Sequence, residues 1–137
     1  MRTSFGLGRA ALAVAVLALA AVPLAASAIP PSPDWFRTWV ADPPNGGLIR
    51  LVISESPRGP VAEAWGECHP ADCAWGTVKL TVSPNGFDAG AIYTSSFNIN
   101  HLSMRLSPNH RTLHVVERVH FIDGSGRPDY SKEVRLR

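Results

Sequence analysis

The only two cysteines of the chain, Cys68 and Cys73, lie in the segment AWGECHPADCAWG together with His69 and Asp72. Such side chains can hold zinc, and a thiol pair can also form a redox centre or a disulfide. Zinc sites usually add a second ligand pair to CxxC, and redox centres usually place CxxC at a helix start. Because neither pattern is present, the spacing favours a structural disulfide, with no metal and no cofactor expected.

The tripeptide Ala-Trp-Gly flanks the cysteines on both sides and contributes Trp65 and Trp75. We expect each indole to cover one end of a core, beside Gly66 and Gly76, which let the backbone turn sharply. In the alternative interpretation, the two indoles frame the mouth of a ligand pocket, because aromatic side chains commonly line pockets.

Two glutamates interrupt apolar stretches. In TLHVVERVHFI, residues 112–122, alternation places Glu117 on the face of Val115 and Val119. A buried carboxylate must be paired or protonated. The candidate partners of Glu117 are Arg50, Arg105 and Tyr130.

Glu63 has a corresponding position between Val61 and Trp65. Two inward carboxylates could orient a ligand or act as general acid and base, whereas in the alternative they lie near the ends of the fold and reach water. No GxSxG, HExxH or P-loop pattern occurs, so no catalytic residue is assigned and an enzyme is less favoured. The two tyrosines, Tyr93 and Tyr130, complete the set of candidate ligand contacts.

The elements that must position these residues are β-strands, because apolar and polar residues alternate between recurring turn signals. We predict eight strands, at residues 35–41, 48–55, 61–65, 77–83, 89–97, 101–107, 112–122 and 129–136. Short connections predict an all-β, antiparallel up-and-down meander, and closure into a small barrel would remove its exposed edges. A two-sheet sandwich is the alternative. Eight strands would enclose side chains or one small ligand.

The N-terminus predicts export. Arg2 and Arg9 precede an apolar run at residues 10–24, and a small-x-small cleavage site follows at residues 26–28. This pattern is typical of a signal peptide over residues 1–28, since a membrane anchor needs about 20 apolar residues. We therefore expect a secreted or periplasmic protein with no membrane span after cleavage. We also expect an extended proline-rich lead-in at residues 29–34 and a single domain at residues 35–137.

The charge of the mature part is balanced. The chain has 13 Lys and Arg residues, two of them in the predicted leader, against 11 Asp and Glu residues. Binding of DNA or RNA needs a basic surface, so no nucleic-acid partner is expected.

The segment WGECHPADCAWG, together with FIDGSGRPDY near the C-terminus, resembles a group of small secreted bacterial proteins built around a WGxCHPxDCxWG segment. The resemblance implies a similar exported domain and carries no activity. In architecture, an opening Trp followed by an antiparallel meander is similar to the lipocalin and avidin barrels, an analogy of fold alone.

Taken together, these features predict a small, exported, monomeric β-barrel that binds a small molecule or a protein and is not catalytic. The alternative is a barrel-type protease inhibitor that inserts its N-terminal arm, residues 29–34, into an active-site cleft.

Overall fold

The computed structural model describes residues 32–137. The predicted signal peptide, residues 1–28, and the start of the predicted lead-in, residues 29–31, lie outside the described residues. The all-β prediction is confirmed: the domain consists of antiparallel strands and one short 3-10 helix, Pro33–Trp35. The strands are β1 (Thr38–Val40), β2 (Leu48–Ser56), β3 (Gly59–Gly66), β4 (Cys73–Lys79), β5 (Thr81–Val82), β6 (Asp88–Thr94), β7 (Asn98–Leu106), β8 (Leu113–Phe121) and β9 (Tyr130–Leu136).

The strands form two sheets in which every neighbour is also the next strand in sequence. One sheet has the order β1-β2-β3-β4, and the other has the order β5-β6-β7-β8-β9. The antiparallel meander is therefore as predicted. The sheets do not close into one barrel, and the two-sheet alternative describes the architecture.

The strand predicted at residues 77–83 is two strands, because the chain passes from one sheet to the other at Leu80. β4 pairs with β3, and β5 pairs with β6. The side chain of Leu80 is 1 % exposed and lies in the core that both sheets share. The two sheets are thus joined covalently at this point.

The opposite edges, β1 and β9, meet through a short seam. Ala41 forms an isolated antiparallel bridge with Leu136, and Val40 and Arg137 exchange two backbone hydrogen bonds of 2.9 and 2.8 Å. One bridge is not a continuous ladder, which is why the sheets remain separate.

The first turn of the domain buries two tryptophans. Trp35 lies in the 3-10 helix, and Trp39 lies in β1; both are fully buried. The Trp35 indole donates to the Gly86 carbonyl, and the Trp39 indole donates to the Trp35 carbonyl. The predictions of an extended lead-in through residue 34 and of a strand from residue 35 are therefore wrong there, because a tight turn is needed to bring Trp35 into the core.

The antiparallel order places four connections at one end of the sandwich: β1–β2, β3–β4, β6–β7 and β8–β9. This end, which carries the Cys68–Cys73 loop, is called the disulfide end below. Within residues 32–137, no helix has the length and apolar character needed to cross a membrane.

Candidate functional site: the disulfide cleft

A cleft of about 370 Å³ opens at the disulfide end, between the β4 edge of one sheet and the β6 edge of the other. We call it the disulfide cleft. Its lining residues come from the cysteine loop, β4, β6, the β6–β7 turn and β7, and they are Cys68, Cys73, Ala74, Trp75, Tyr93, Thr94, Ser95, Phe97, Asn98 and Asn100.

The cleft exists because strand pairing stops near Leu80. β5 pairs with β6 only at Thr81↔Gly90 and Val82↔Ala89. Residues 91–94 of β6 therefore have no ladder partner on that side, and β4 pairs only with β3. The two edges are joined at Leu80 and form no ladder with each other towards the disulfide end, which leaves a gap flanked by two sheet edges.

Trp75 forms one wall of the cleft because of a β-bulge. The pairing of β3 with β4 shifts between Ala64 and Trp65, so Trp75 is the extra residue on β4. Bulges re-aim side chains and are common beside functional sites. The Trp75 ring lies directly against Gly66, where an added Cβ would be 2.6 Å from the indole nitrogen. Only glycine at position 66 permits this approach.

Tyr93 forms the inner wall. Its ring meets Trp75 edge-on at 5.7 Å, and its hydroxyl donates to the Ala62 carbonyl at 2.8 Å. Burial, together with the negative charge of Glu63, raises the pKa of the Tyr93 phenol well above its ordinary value. The hydroxyl therefore stays protonated and contributes no charge to the cleft.

Asn100 is the buried polar residue of the cleft. It is 6 % exposed, and its amide oxygen accepts no hydrogen bond from any residue in 32–137. A buried polar atom without a partner costs about 1–3 kcal/mol, so such atoms are rare. The oxygen itself has no exposed surface, so a molecule in the cleft can reach it only after the amide rotates and exchanges its oxygen and nitrogen.

The β6–β7 turn holds Phe97 at the rim of the cleft. The Ser95 hydroxyl accepts hydrogen bonds from the backbone N–H groups of Phe97 and Asn98, and it donates to the Asn98 side-chain oxygen at 2.7 Å. This turn is therefore fixed before any ligand arrives. It leaves the Phe97 ring 46 % exposed.

The predicted disulfide is present. Cys68 and Cys73 are bonded, with Cα atoms 5.5 Å apart, and both line the cleft. Bonded sulfurs are not thiolate ligands, and no group of three or more His, Cys, Asp or Glu side chains in residues 32–137 is arranged to hold a metal ion.

Trp65 and Glu63 lie outside the cleft, which corrects two expectations. On β3 the buried side chains are Ala62 and Ala64, so Glu63 and Trp65 point outwards. The Arg50 guanidinium stacks on the Trp65 ring at 4.1 Å. Ala62 and Ala64 face the core that the two sheets share, and the Tyr93 hydroxyl reaches the Ala62 carbonyl from the facing sheet.

Glu117 lies on the buried face of β8, at 2 % exposure, so the alternative in which its carboxylate reaches water is wrong. Its carboxylate accepts the Leu48 N–H at 3.2 Å. Burial raises the pKa of the Glu117 carboxyl above its ordinary value, opposed by the Leu48 hydrogen bond and by the charge of Lys132. Of the three candidate partners, only Tyr130 is close enough for the charge of Glu117 to act on it. Arg105 pairs with Asp88, and Arg50 stacks on Trp65.

Tyr130 lies at the disulfide end outside the cleft lining. It is 41 % exposed and packs near Phe121, with ring centroids 6.1 Å apart. Burial and the charge of Glu117 raise the pKa of the Tyr130 phenol. The Arg127 guanidinium stacks on Phe121 at 4.1 Å and reaches Phe97 at 5.8 Å, so this aromatic group adjoins the rim of the cleft.

A second, shallower groove on the outer face of the five-stranded sheet gathers Ser131, His120 and Asp129, which the sequence did not place together. His120 and Asp129 are 2.7 Å apart, and this contact lowers the pKa of the Asp129 carboxyl. Both side chains are more than half exposed, and no serine hydroxyl within residues 32–137 bonds to His120. Activation of a serine needs a hydrogen-bonded base, and among the described residues the His120–Asp129 pair holds no serine in this way.

The chain matches no protein-family model, no curated protein and no solved structure.

Proposed function

We propose that this protein is an exported, non-catalytic binding protein and that the disulfide cleft is its ligand site. The observation that carries the proposal is the Asn100 amide oxygen, a buried polar atom in the wall of the cleft that has no hydrogen-bond partner within residues 32–137. Ligand pockets are typically apolar and aromatic with a few placed polar groups, and their volumes start near 300 Å³. Trp75, Tyr93 and Phe97 supply the aromatic part of such a lining.

The cleft is also rigid on the sides that would receive a ligand. The disulfide closes the β3–β4 loop, Gly66 lets the Trp75 ring pack directly against the backbone, and the Ser95 hydroxyl bonds across the β6–β7 turn. A preformed site loses less conformational entropy on binding than a mobile one. This supports binding in preference to a purely structural role for the cysteine segment.

The experiment is a two-dimensional ¹H–¹⁵N NMR titration of the mature protein with a mixture of small neutral fragments, both aromatic and polyhydroxylated. We expect shifts at the Trp75 indole N–H and at the side-chain amides of Asn98 and Asn100. Shifts confined to the outer groove around His120, or no shifts with any fragment, would show that the cleft is not a binding site.

The duplicated tripeptide provides a matched control. Trp75→Leu removes a wall of the cleft, whereas Trp65→Leu removes an equally large indole from the opposite face of the same sheet. We expect the first variant to lose fragment binding and the second to keep it. Equal losses in the two variants would contradict the assignment of the site.

The inhibitor alternative depends on the N-terminal arm and not on the cleft. Deletion of residues 29–34, the whole arm, separates the two functions, since it leaves all ten cleft residues in place. Retained fragment binding after this deletion is expected, and inhibition of a protease that the deletion abolishes would favour the alternative.

A further inference from the structure

We infer that the ligand of the disulfide cleft is a neutral saccharide, whose ring packs against the aromatic wall while its hydroxyls bond to the Asn98 and Asn100 amides. This inference rests on the proposed function and names the class of ligand. It follows from the charge, the hydrogen-bonding groups, the aromatic surface and the size of the cleft.

The lining carries no ionised side chain. The two cysteines are joined in a disulfide, and burial keeps the Tyr93 phenol protonated. The other lining residues are apolar, hydroxyl or amide side chains. Arg127, which reaches the Phe97 ring at the rim, is already paired with Asp123. A charged ligand would therefore lose hydration without gaining an unpaired counter-charge from the lining, which is costly. Organic acids, phosphorylated compounds and ammonium compounds are therefore disfavoured.

The polar groups of the cleft suit hydroxyls. Among the hydrogen bonds within residues 32–137, none uses the side-chain nitrogens of Trp75, Asn98 or Asn100, and none reaches the Asn100 oxygen. An amide offers both donors and an acceptor, and a hydroxyl group also does both. Adjacent hydroxyls on a sugar ring can therefore pair with an amide side chain, whereas a hydrocarbon ligand would leave Asn100 unpaired.

The aromatic groups of the cleft suit the apolar C–H face of a sugar ring. One face of a pyranose exposes several C–H groups, and such a face packs against an aromatic ring through apolar and weak C–H contacts. Phe97 presents a half-exposed ring at the rim, and Trp75 presents an indole fixed against Gly66. A ligand with one apolar face and polar edges can satisfy both kinds of lining at once.

The size and opening of the cleft limit the ligand further. About 370 Å³ is at the low end of the range for small-molecule sites, which suits one or two sugar rings. β4 and residues 91–94 of β6 flank the opening and pair with no further strand there. A longer neutral glycan can therefore extend out of the cleft from a bound terminal unit.

The test is isothermal titration calorimetry of the mature protein with neutral sugars: glucose, galactose, mannose, N-acetylglucosamine and their β-linked disaccharides. Glucuronic and galacturonic acid serve as charged counterparts. We expect at least one neutral sugar to bind and its uronic acid to bind at least about tenfold more weakly. Trp75→Leu and Asn100→Leu should each weaken binding about tenfold or more, and Trp65→Leu should change it less than about twofold.

The outcomes separate this inference from the proposed function. If neutral fragments shift the Trp75 and Asn100 resonances but no sugar binds at concentrations of about 20 mM, the saccharide assignment is wrong and the cleft remains a ligand site. If neither fragments nor sugars bind, both proposals are wrong. Stronger binding of a uronic acid than of its neutral sugar would also overturn the saccharide assignment. Thermal unfolding of each variant establishes that a loss of binding is not a loss of fold.

Discussion

Asn100→Leu should make the ligand-free protein more stable. The Asn100 amide oxygen is buried without a donor among the described residues, and such a group costs about 1–3 kcal/mol. Leucine has the same branching as asparagine and no polar atom. Its larger methyl groups cost part of the gain, since overpacking of a core is itself destabilising. We therefore expect the free energy of unfolding to rise by about 1–2 kcal/mol.

The assay is urea and thermal unfolding of the ligand-free variant beside the wild type. In a domain of this size, each kcal/mol corresponds to roughly 4–8 °C in Tm. Asn98→Leu is the matched control, because the Asn98 oxygen already accepts the Ser95 hydroxyl and its loss should lower stability slightly. If Asn100→Leu were less stable than the wild type by about 1 kcal/mol, the amide would be satisfied, and the reasoning would be refuted.

Three further predictions concern neighbouring parts of the disulfide end. Gly66→Ala places a Cβ 2.6 Å from the Trp75 nitrogen, so we expect a loss of about 1–3 kcal/mol in urea unfolding and a changed near-ultraviolet circular dichroism spectrum. The pKa of Glu117 is higher in the folded protein than its ordinary value of 4.5, so above pH 4.5 the folded state binds more protons than the unfolded state. The free energy of unfolding of the wild type should therefore fall as the pH rises from 4.5 through the folded-state pKa of Glu117. Glu117→Gln should lack that fall. Replacing Cys68 and Cys73 together with alanine should lower the free energy of unfolding by about 2 kcal/mol, as loop closure predicts.

Each of these predictions has its own control or contrary result. Gly90→Ala is the control for Gly66→Ala, since its added Cβ meets nothing closer than 3.6 Å. A similar pH slope in Glu117→Gln and the wild type would assign the slope to another group. An unchanged Tm in the double alanine variant would mean that the disulfide does not stabilise the domain.

The sequence predicted the features that depend on local pattern. Strict alternation in β7 and β8 identified Leu102, Met104 and Leu106 as one buried face, and it placed Glu117 within the buried face of β8. The disulfide followed from spacing and from the expected compartment.

The orientations of Glu63 and Trp75 could not be predicted in the same way, because they depend on strand pairing. Val61 and Trp65 are larger than Ala62 and Ala64, so alternation favoured the wrong face of β3. The facing sheet lies over Ala62 and Ala64, and the Tyr93 hydroxyl bonds to the Ala62 carbonyl. The bulge that turns Trp75 inwards is likewise a property of its pairing with β3. The predicted barrel did not form for the same reason. Closure depends on pairing between strands far apart in sequence, and β1 and β9 share only one bridge.

Two residues of the disulfide cleft, Asn100 and Phe97, were not among the candidates that the sequence offered, for a different reason. Alternation predicts a strand that runs through residues 95–97, whereas β6 ends at Thr94 and a turn follows that exposes Phe97. The two adjacent serines before Phe97 are a turn signal, because serine hydroxyls bond nearby backbone N–H groups. This signal could have placed Phe97 in a loop. A buried amide without a partner, in contrast, is visible only in the folded structure.

The central claim is that the disulfide cleft holds a ligand, and intermolecular nuclear Overhauser effects test it most directly. A bound neutral sugar or fragment should show effects to the ring protons of Trp75, Tyr93 and Phe97 in the wild type, and these effects should disappear in Trp75→Leu. Effects to Tyr130 or to the outer groove around His120, with none to the cleft rings, would contradict the claim.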